Sequence, residues 1–282
     1  MMKISYYPGC TLKTKATGLE TTAIASMKAL GIELEELPQW NCCGVVQSLA
    51  EDDLIHHVAP IRNLIRAEEQ GSNLLVTLCP MCYNALASAN LIIREDEEKR
   101  KTINLFMYEE PDYSGRVEVV HLLSFLRDHV GWKRVREQVK NSLKGMKIVP
   151  YYGCLLHRPR KVGIEPPGSL QTMTLLLESL GATVPYFSAA TECCGSYQIV
   201  ANPQAAKDAS NSILDRAVAA EAQVVALSCP LCEMNLKNAQ SEIVKGGEIR
   251  MNIPVIYFTH LMAFCFGLEE ELIPETALRA LT

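Results

Sequence analysis

The octapeptide Lys3-Ile4-Ser5-Tyr6-Tyr7-Pro8-Gly9-Cys10 returns in the second half of the chain as Lys147-Ile148-Val149-Pro150-Tyr151-Tyr152-Gly153-Cys154. Each copy is a short β-rich run closed by a glycine turn and a cysteine, as when a strand delivers a side chain to a loop. The repeat extends further. Ala29-Leu30-Gly31-Ile32 matches Ser179-Leu180-Gly181-Ala182, and Leu74–Cys79 matches Val224–Cys229. The ends also agree, Val119–Leu123 resembling Phe258–Met262 through His121 and His260, a recurrence that suggests a shared structural hydrogen bond. The 282 residues therefore read as two copies of one unit, expected as domains 1–145 and 146–282 with a boundary near Gly145.

Each half reads as strand, helix, strand, helix, strand, helix, strand. In the first, Ile4–Tyr7 is a strand, Thr17–Leu30 a helix ended by Gly31, and Ile32–Leu37 a second strand. Asp52 or Asp53 can cap a helix running to Gln70. Leu74–Leu78 is a strand covered on both faces, Pro80 suits the first turn of the next helix, and Val117–Val120 closes the half. A polar helix over Lys133–Lys144 joins the halves, Arg94–Lys101 is a solvated charged face, and Glu109–Gly115 is a connection. This alternation predicts an α/β fold: two pseudo-repeated Rossmann-like units, each a mostly parallel sheet flanked by helices. Ligands of such sheets gather at the carboxyl ends of the strands, so cluster-binding loops are expected at that edge.

Ten of the eleven cysteines occupy that edge in two sets: Cys10, Cys42, Cys43, Cys79 and Cys82, then Cys154, Cys193, Cys194, Cys229 and Cys232. The spacings are C-x31-CC-x35-C-x2-C and C-x38-CC-x34-C-x2-C, and Gly44 and Gly195 follow the doublets. Five thiols gathered twice point to soft-metal sites, iron–sulfur or zinc. Cys265, alone in an apolar run, reads as core. Tetrahedral zinc and an ordinary 4Fe–4S cube each take four ligands, one fewer than each half offers. One cysteine of the doublet can stand aside, one thiolate can bridge two irons, or a cluster can keep an open iron position. Spacing leaves all three readings open.

Composition narrows the class. A net charge of −5 argues against a general nucleic-acid surface, and no apolar stretch nears the roughly 20 residues of a membrane helix. The first residues lack a secretory core, so a cytoplasmic location is expected, where such cysteines bind metal more often than they form disulfides. No dinucleotide, P-loop or nucleophile-elbow signature is present, so no flavin or nicotinamide is expected on this chain and electrons must come from another protein of a complex. The six histidines, His56, His57, His121, His129, His157 and His260, show no metal-spaced pair. Lys13 and Lys15 follow Cys10, and His157, Arg158, Arg160 and Lys161 follow Cys154. That local positive charge fits either an anionic ligand or neutralisation of cluster charge.

Two C-xₙ-CCG-xₙ-C-P-x-C sets preceded by Tyr-Pro-Gly-Cys10 and Tyr-Tyr-Gly-Cys154 resemble the duplicated cysteine-rich CCG domain, most of all the HdrB family, the B subunits of heterodisulfide reductases. The resemblance implies a noncubane 4Fe–4S cluster on each five-cysteine set, with the substrate disulfide between the two. It implies reduction of a mixed disulfide of the coenzyme M–coenzyme B type to two thiols. Electrons would arrive through a ferredoxin-like iron–sulfur partner, the C subunit of such complexes, from their flavin-containing A subunit. The sulfonate and phosphate of that substrate would give Lys13, Lys15, His157 and Arg158 a binding role. Other CCG proteins relay electrons in lactate, glycolate or glycerol-3-phosphate oxidation, and the alternative is therefore an electron-relay subunit. A zinc-stapled scaffold is the reading without redox chemistry.

Overall fold

In the computed structural model, which describes residues 1–45, 54–166, 169–245 and 252–281, both octapeptides form strands inside parallel sheets. The first half runs β1 (Met2–Tyr7), α1 (Thr17–Ala29), β2 (Ile32–Glu36), α2 (Val58–Glu69), β3 (Leu74–Thr77), α3 (Pro80–Glu95), α4 (Glu97–Phe106) and β4 (Glu118–His121). Helices α5 (Leu122–Phe125) and α6 (Trp132–Glu137) lead to β5 (Ile148–Tyr151), α7 (Thr172–Ser179), α8 (Gln198–Ala201) and α9 (Pro203–Ala219). The chain closes with β6 (Val224–Leu227), α10 (Pro230–Lys245), β7 (Val255–Tyr257), α11 (Phe258–Cys265) and α12 (Glu275–Leu281). Strand order is β2-β1-β3-β4 in one sheet and β5-β6-β7 in the other, all parallel. Ile4–Tyr7 and Ile148–Tyr151 are buried throughout, as strands covered by helices on both faces must be.

The chain leaves β1 for one side of the first sheet and returns on the other at β3, so a topological switch point lies between their carboxyl ends. Cys10 follows β1 and Cys79 follows β3, flanking that crevice. Cys154 and Cys229 take the corresponding places after β5 and β6 of the second sheet. Pro80 and Pro230 are the first residues of α3 and α10, where the missing N–H costs nothing.

Three expectations are corrected. Among the described residues the second half has no fourth strand; the expected edge shrinks to one bridge between Lys147 and Thr183. The Ile148 N–H donates to the Thr183 carbonyl, and the next donor on that edge would belong to residue 150. In β5 that residue is Pro150, where β1 carries Tyr6, and a proline cannot extend the ladder. The joining helix stops at Glu137 rather than Lys144, because the N–H groups of Lys140 and Asn141 both turn to the Cys265 carbonyl at 2.7 and 3.0 Å. His121 and His260 are not equivalent. His121 ends β4, in register with Thr77, whereas β7 ends at Tyr257, in register with Leu227, so His260 sits three residues into α11. The proposed caps Asp52 and Asp53 lie outside the described residues; α2 begins at Val58.

One hydrophobic core runs through both halves. Helix α11 packs on α1, with the Thr22 hydroxyl donating to Thr259 at 2.8 Å between them. Among the described residues no helix is long and apolar enough to cross a membrane. Of the charged run, Asp96 caps α4 by accepting the Lys99 N–H at 3.0 Å.

Candidate metal centre

Tyr7 and Tyr151, the last residues of β1 and β5, anchor the cysteine loops. Each is fully buried and donates its phenolic hydrogen to the carbonyl just before a doublet, Tyr7 to Asn41 and Tyr151 to Glu192, both at 2.8 Å. Sequence reading passed over these phenols as functional groups, although their shared place in the octapeptide was the signal for them. Side-chain amides fix the rest of the loops. Asn63 accepts the Asn41 N–H at 2.9 Å, and Asn235 donates to the carbonyls of Cys194 and Ser196 at 3.2 and 3.1 Å.

The doublets then split. Cys42 is exposed and its sulfur lies 4.0 Å from Cys10, whereas Cys43 turns inward and meets Cys82 at 3.6 Å. In the second set Cys193 is exposed and hydrogen-bonds Cys154, while buried Cys194 meets Cys232 at 3.4 Å. Left-handed backbone at Gly44 and Gly195, φ 70° and 92°, follows each split. Each set is therefore an outer pair facing solvent and an inner triad buried at the strand ends: Cys43, Cys79 and Cys82 in one, Cys194, Cys229 and Cys232 in the other. Cys265 lies apart in the core, its thiol pushed up to about 12 by burial.

The thiols are coupled. Hydrogen bonding with Cys42 and Cys82 holds Cys43, and hydrogen bonding with Cys82 holds Cys79, below the ordinary thiol range, while Cys42 and Cys82 are raised. Cys193 and Cys194 are lowered in the same way, by Cys154 and Cys232 respectively. Thiolate character at rest is what a soft metal requires. A β-carbon at Gly9 would stand 2.7 Å from the Cys82 sulfur, and one at Gly153 would stand 3.2 Å from the Cys232 sulfur. Both glycines are left-handed; at Gly9 only a hydrogen atom fits without displacing the sulfur, and at Gly153 a β-carbon would be tight. Among the described residues no three His, Cys, Asp or Glu side chains converge closely enough to hold a single metal ion. Five sulfur donors, proton-poor pairs and a glycine cradle fit an iron–sulfur group.

The basic residues divide. Lys13 is ion-paired to Glu20 and Glu36 at 2.7 and 2.6 Å, Lys161 is paired to Glu95 at 2.7 Å, and Lys15 is exposed. Arg158 stands near Cys193 and helps to lower its thiol, after the larger effect of Cys154. With His157, Arg160 and Thr191 it lines an open cleft beside the second set. His157 is lowered by burial and lies edge-on to Tyr152, with ring centroids 5.1 Å apart. His121 hydrogen-bonds the Leu78 carbonyl at 2.8 Å, one residue before Cys79, and accepts the Leu123 N–H at 3.2 Å.

The two sets meet at a seam. Met81, between Cys79 and Cys82, lines the same crevice as Cys154, Cys194, Cys229 and Cys232. Tyr197 reaches across from the second half to place its hydroxyl 3.8 Å from the Met81 sulfur. Burial raises the Tyr197 phenol, and the thiols of Cys43, Cys79, Cys229 and Cys82 raise it further. Nothing in the spacing of the motifs marks this residue.

The family model described as the cysteine-rich domain, CCG, matches residues 4–87 and 148–237. The membrane anchor protein of 8-methylmenaquinol:fumarate reductase from Wolinella succinogenes is 30% identical, covering 94% of this chain and 93% of that protein. A protein of Archaeoglobus profundus described as similar to the B subunit of heterodisulfide reductase is 28% identical, covering 96% and 93%. The B subunit of the ferredoxin:CoB-CoM heterodisulfide reductase of Methanosarcina mazei is 26% identical, covering 95% and 90%. The crystal structure of a hypothetical protein from Helicobacter pylori superposes with a TM-score of 0.71 at 13% identity, a likeness of fold alone. That match covers 96% of this chain, which spans about half of the other, 51%.

Proposed function

The chain belongs to the family of cysteine-rich CCG proteins, and on that basis we propose that it is the disulfide-reducing component of an iron–sulfur oxidoreductase complex. Each five-cysteine set would hold one 4Fe–4S cluster of noncubane type: Cys10, Cys42, Cys43, Cys79 and Cys82 in the first half, Cys154, Cys193, Cys194, Cys229 and Cys232 in the second. The observation that carries the reading is the seam, where Met81 of the first Cys-Pro-Met-Cys lines one crevice with Cys154, Cys194, Cys229 and Cys232 and meets Tyr197 of the second half. Reducing a disulfide takes two electrons and two protons, RS–SR′ + 2e⁻ + 2H⁺ giving RSH and R′SH. When bound, two clusters supply those electrons one at a time, beside iron that attracts sulfur.

The chain's own residues shape the rest. The outer pairs Cys10–Cys42 and Cys154–Cys193 leave each site open on the solvent side, and the inner triads are closed to water. Arg158 and Arg160 line a cleft beside Cys193 that suits the anionic end of a substrate of the coenzyme M–coenzyme B type. Lys13, held by two carboxylates, is less available for that work. The electron donor would be a ferredoxin-like C subunit served by a flavin-containing A subunit, consistent with relatives named as parts of such reductases.

A second reading is supported by the relative from W. succinogenes, whose name places it in a quinol-linked fumarate reductase. Here the clusters would relay electrons and meet no disulfide. Metal content and EPR spectra of anaerobically purified protein separate the two readings. About eight irons and eight sulfides per chain, with a spectrum altered by the coenzyme M–coenzyme B disulfide, are expected for the reductase. The same iron with an indifferent spectrum would favour the relay. Two zincs and no iron in protein from its native host would sink both.

A further inference from the structure

We infer that Tyr197 is a substrate-contacting residue: its phenolic O–H donates to the sulfur anion released when the substrate S–S bond is cut between the two cysteine sets. The inference rests on the disulfide-reducing reading above. Three observations carry it. Left-handed backbone at Gly195 and Ser196, φ 92° and 47°, follows the doublet, and the Asn235 amide pins the Ser196 carbonyl at 3.1 Å. The next side chain, Tyr197, emerges toward Met81 in the first half.

The second observation is the poverty of its hydrogen bond. Tyr6, Tyr7, Tyr83, Tyr113, Tyr151 and Tyr257 all donate to oxygen, at distances from 2.5 to 3.2 Å. Tyr197 alone among these phenols has a thioether for its partner, 3.8 Å away, and thioether sulfur is a weak acceptor. A half-buried donor so weakly held turns readily to a stronger acceptor, and an anionic sulfur is one.

The third is placement. The partner of this phenol, Met81, stands between Cys79 and Cys82 of one set and lines one crevice with Cys154, Cys194, Cys229 and Cys232 of the other. In the sequence, Val46 stands two residues after Gly44, where Tyr197 stands two after Gly195. Tyr197 therefore meets the first half at the seam from the second set's side.

In the step itself, two electrons delivered in succession by a reduced iron–sulfur donor protein, which is oxidised by one electron each time, enter the S–S bond, which breaks into two thiolates. Tyr197 keeps its proton and stabilises one thiolate by hydrogen bonding; the two protons that complete the thiols come from solvent.

The test is Tyr197→Phe in the anaerobically purified, cluster-containing protein. Steady-state kinetics would use the coenzyme M–coenzyme B disulfide and a series of mixed disulfides of graded thiol pKa, and electron–nuclear double resonance would be recorded in D₂O. Unchanged iron and sulfide are expected, with kcat lower by about a hundredfold and KM nearly constant, as when an oxyanion donor is removed. The loss should grow with the pKa of the leaving thiol, and the disulfide-elicited signal should lose one exchangeable-proton coupling. A variant equal to wild type in kcat and coupling, while wild type still responds to the disulfide, would overturn the assignment and leave the reductase reading intact. A wild-type protein indifferent to the disulfide would remove that reading instead, and this inference with it. If the phenylalanine variant loses iron, Tyr197→3-fluorotyrosine carries the test. Its stronger donor should flatten the dependence on thiol pKa, and an unaltered dependence would overturn the assignment.

Discussion

A single hydrogen atom decides whether Cys82 can hold its place. Gly9 needs both its left-handed φ of 73° and its bare α-carbon, because a β-carbon would press on the Cys82 sulfur at 2.7 Å. Gly153 makes the same approach to Cys232 at 3.2 Å, a contact that a small shift relieves. Alanine in a left-handed conformation costs about 1–2 kcal/mol at either position, so strain alone would make the two substitutions equivalent. The sulfur contact separates them. Gly9→Ala is expected to lower iron per chain toward half by displacing Cys82, while Gly153→Ala should keep most of its iron. Metal analysis of the two variants checks this, and equal losses would mean that backbone strain dominates. The cysteines and their preceding glycines were legible in the sequence because both repeat. Tyr197 was not, because its role depends on a neighbour, Met81, that is 116 residues away in the chain.

At the scale of elements, the sequence carried the alternation of strands and helices, and its failures have local causes. Pro150 ends a ladder that Tyr6 allows to continue, and the Cys265 carbonyl captures two N–H groups that a longer joining helix would have used. Both depend on partners that periodicity does not show. The His121–His260 match failed because a shared His-Leu pair outweighed the register of strand ends. His121 itself makes an acid-sensitive junction between β4 and α5. With the proton on Nε2, the ring donates to the Leu78 carbonyl and its Nδ1 accepts the Leu123 N–H. A second proton on Nδ1 would oppose that N–H. Burial lowers the group from 6.5 to about 4, so its contribution is complete above the unfolded value and is lost as pH falls from about 6.5 toward 4. At pH 5 the loss is about 2 kcal/mol. Denaturant unfolding at pH 7.5 and pH 5 should show wild type losing more stability on acidification than His121→Gln. Equal losses would place the acid sensitivity elsewhere, His260 being the next candidate because burial lowers it to about 4 as well.

Across the whole molecule, the halves hold one another's cysteine loops. Tyr83, one residue after Cys82, donates to the Val162 carbonyl at 2.7 Å, and Asn84 donates to the carbonyls of Leu155 and Arg158 at 2.9 and 2.6 Å. Helix α3, opened by the first set's Cys-Pro-Met-Cys, is thus the brace for the loop that carries Cys154 and Arg158. A repeat read along the sequence gives two similar units; only the folded chain shows that the second site is finished by the first. Removing the Asn84 amide leaves two carbonyls short of a donor, a cost of about 1–3 kcal/mol where water cannot replace it. The damage should be asymmetric. Asn84→Ala leaves every cysteine in place and does not touch Cys10, Cys42 or Cys43, so the first set should keep its iron. The second set, with Cys154 on a loosened loop, should lose iron first and release it faster to a chelator. Timed iron release, with EPR to tell the two sites apart, checks this. Uniform release from both sites would mean that the brace stabilises the fold as a whole, whereas release confined to the second would make α3 the element through which the halves share one centre.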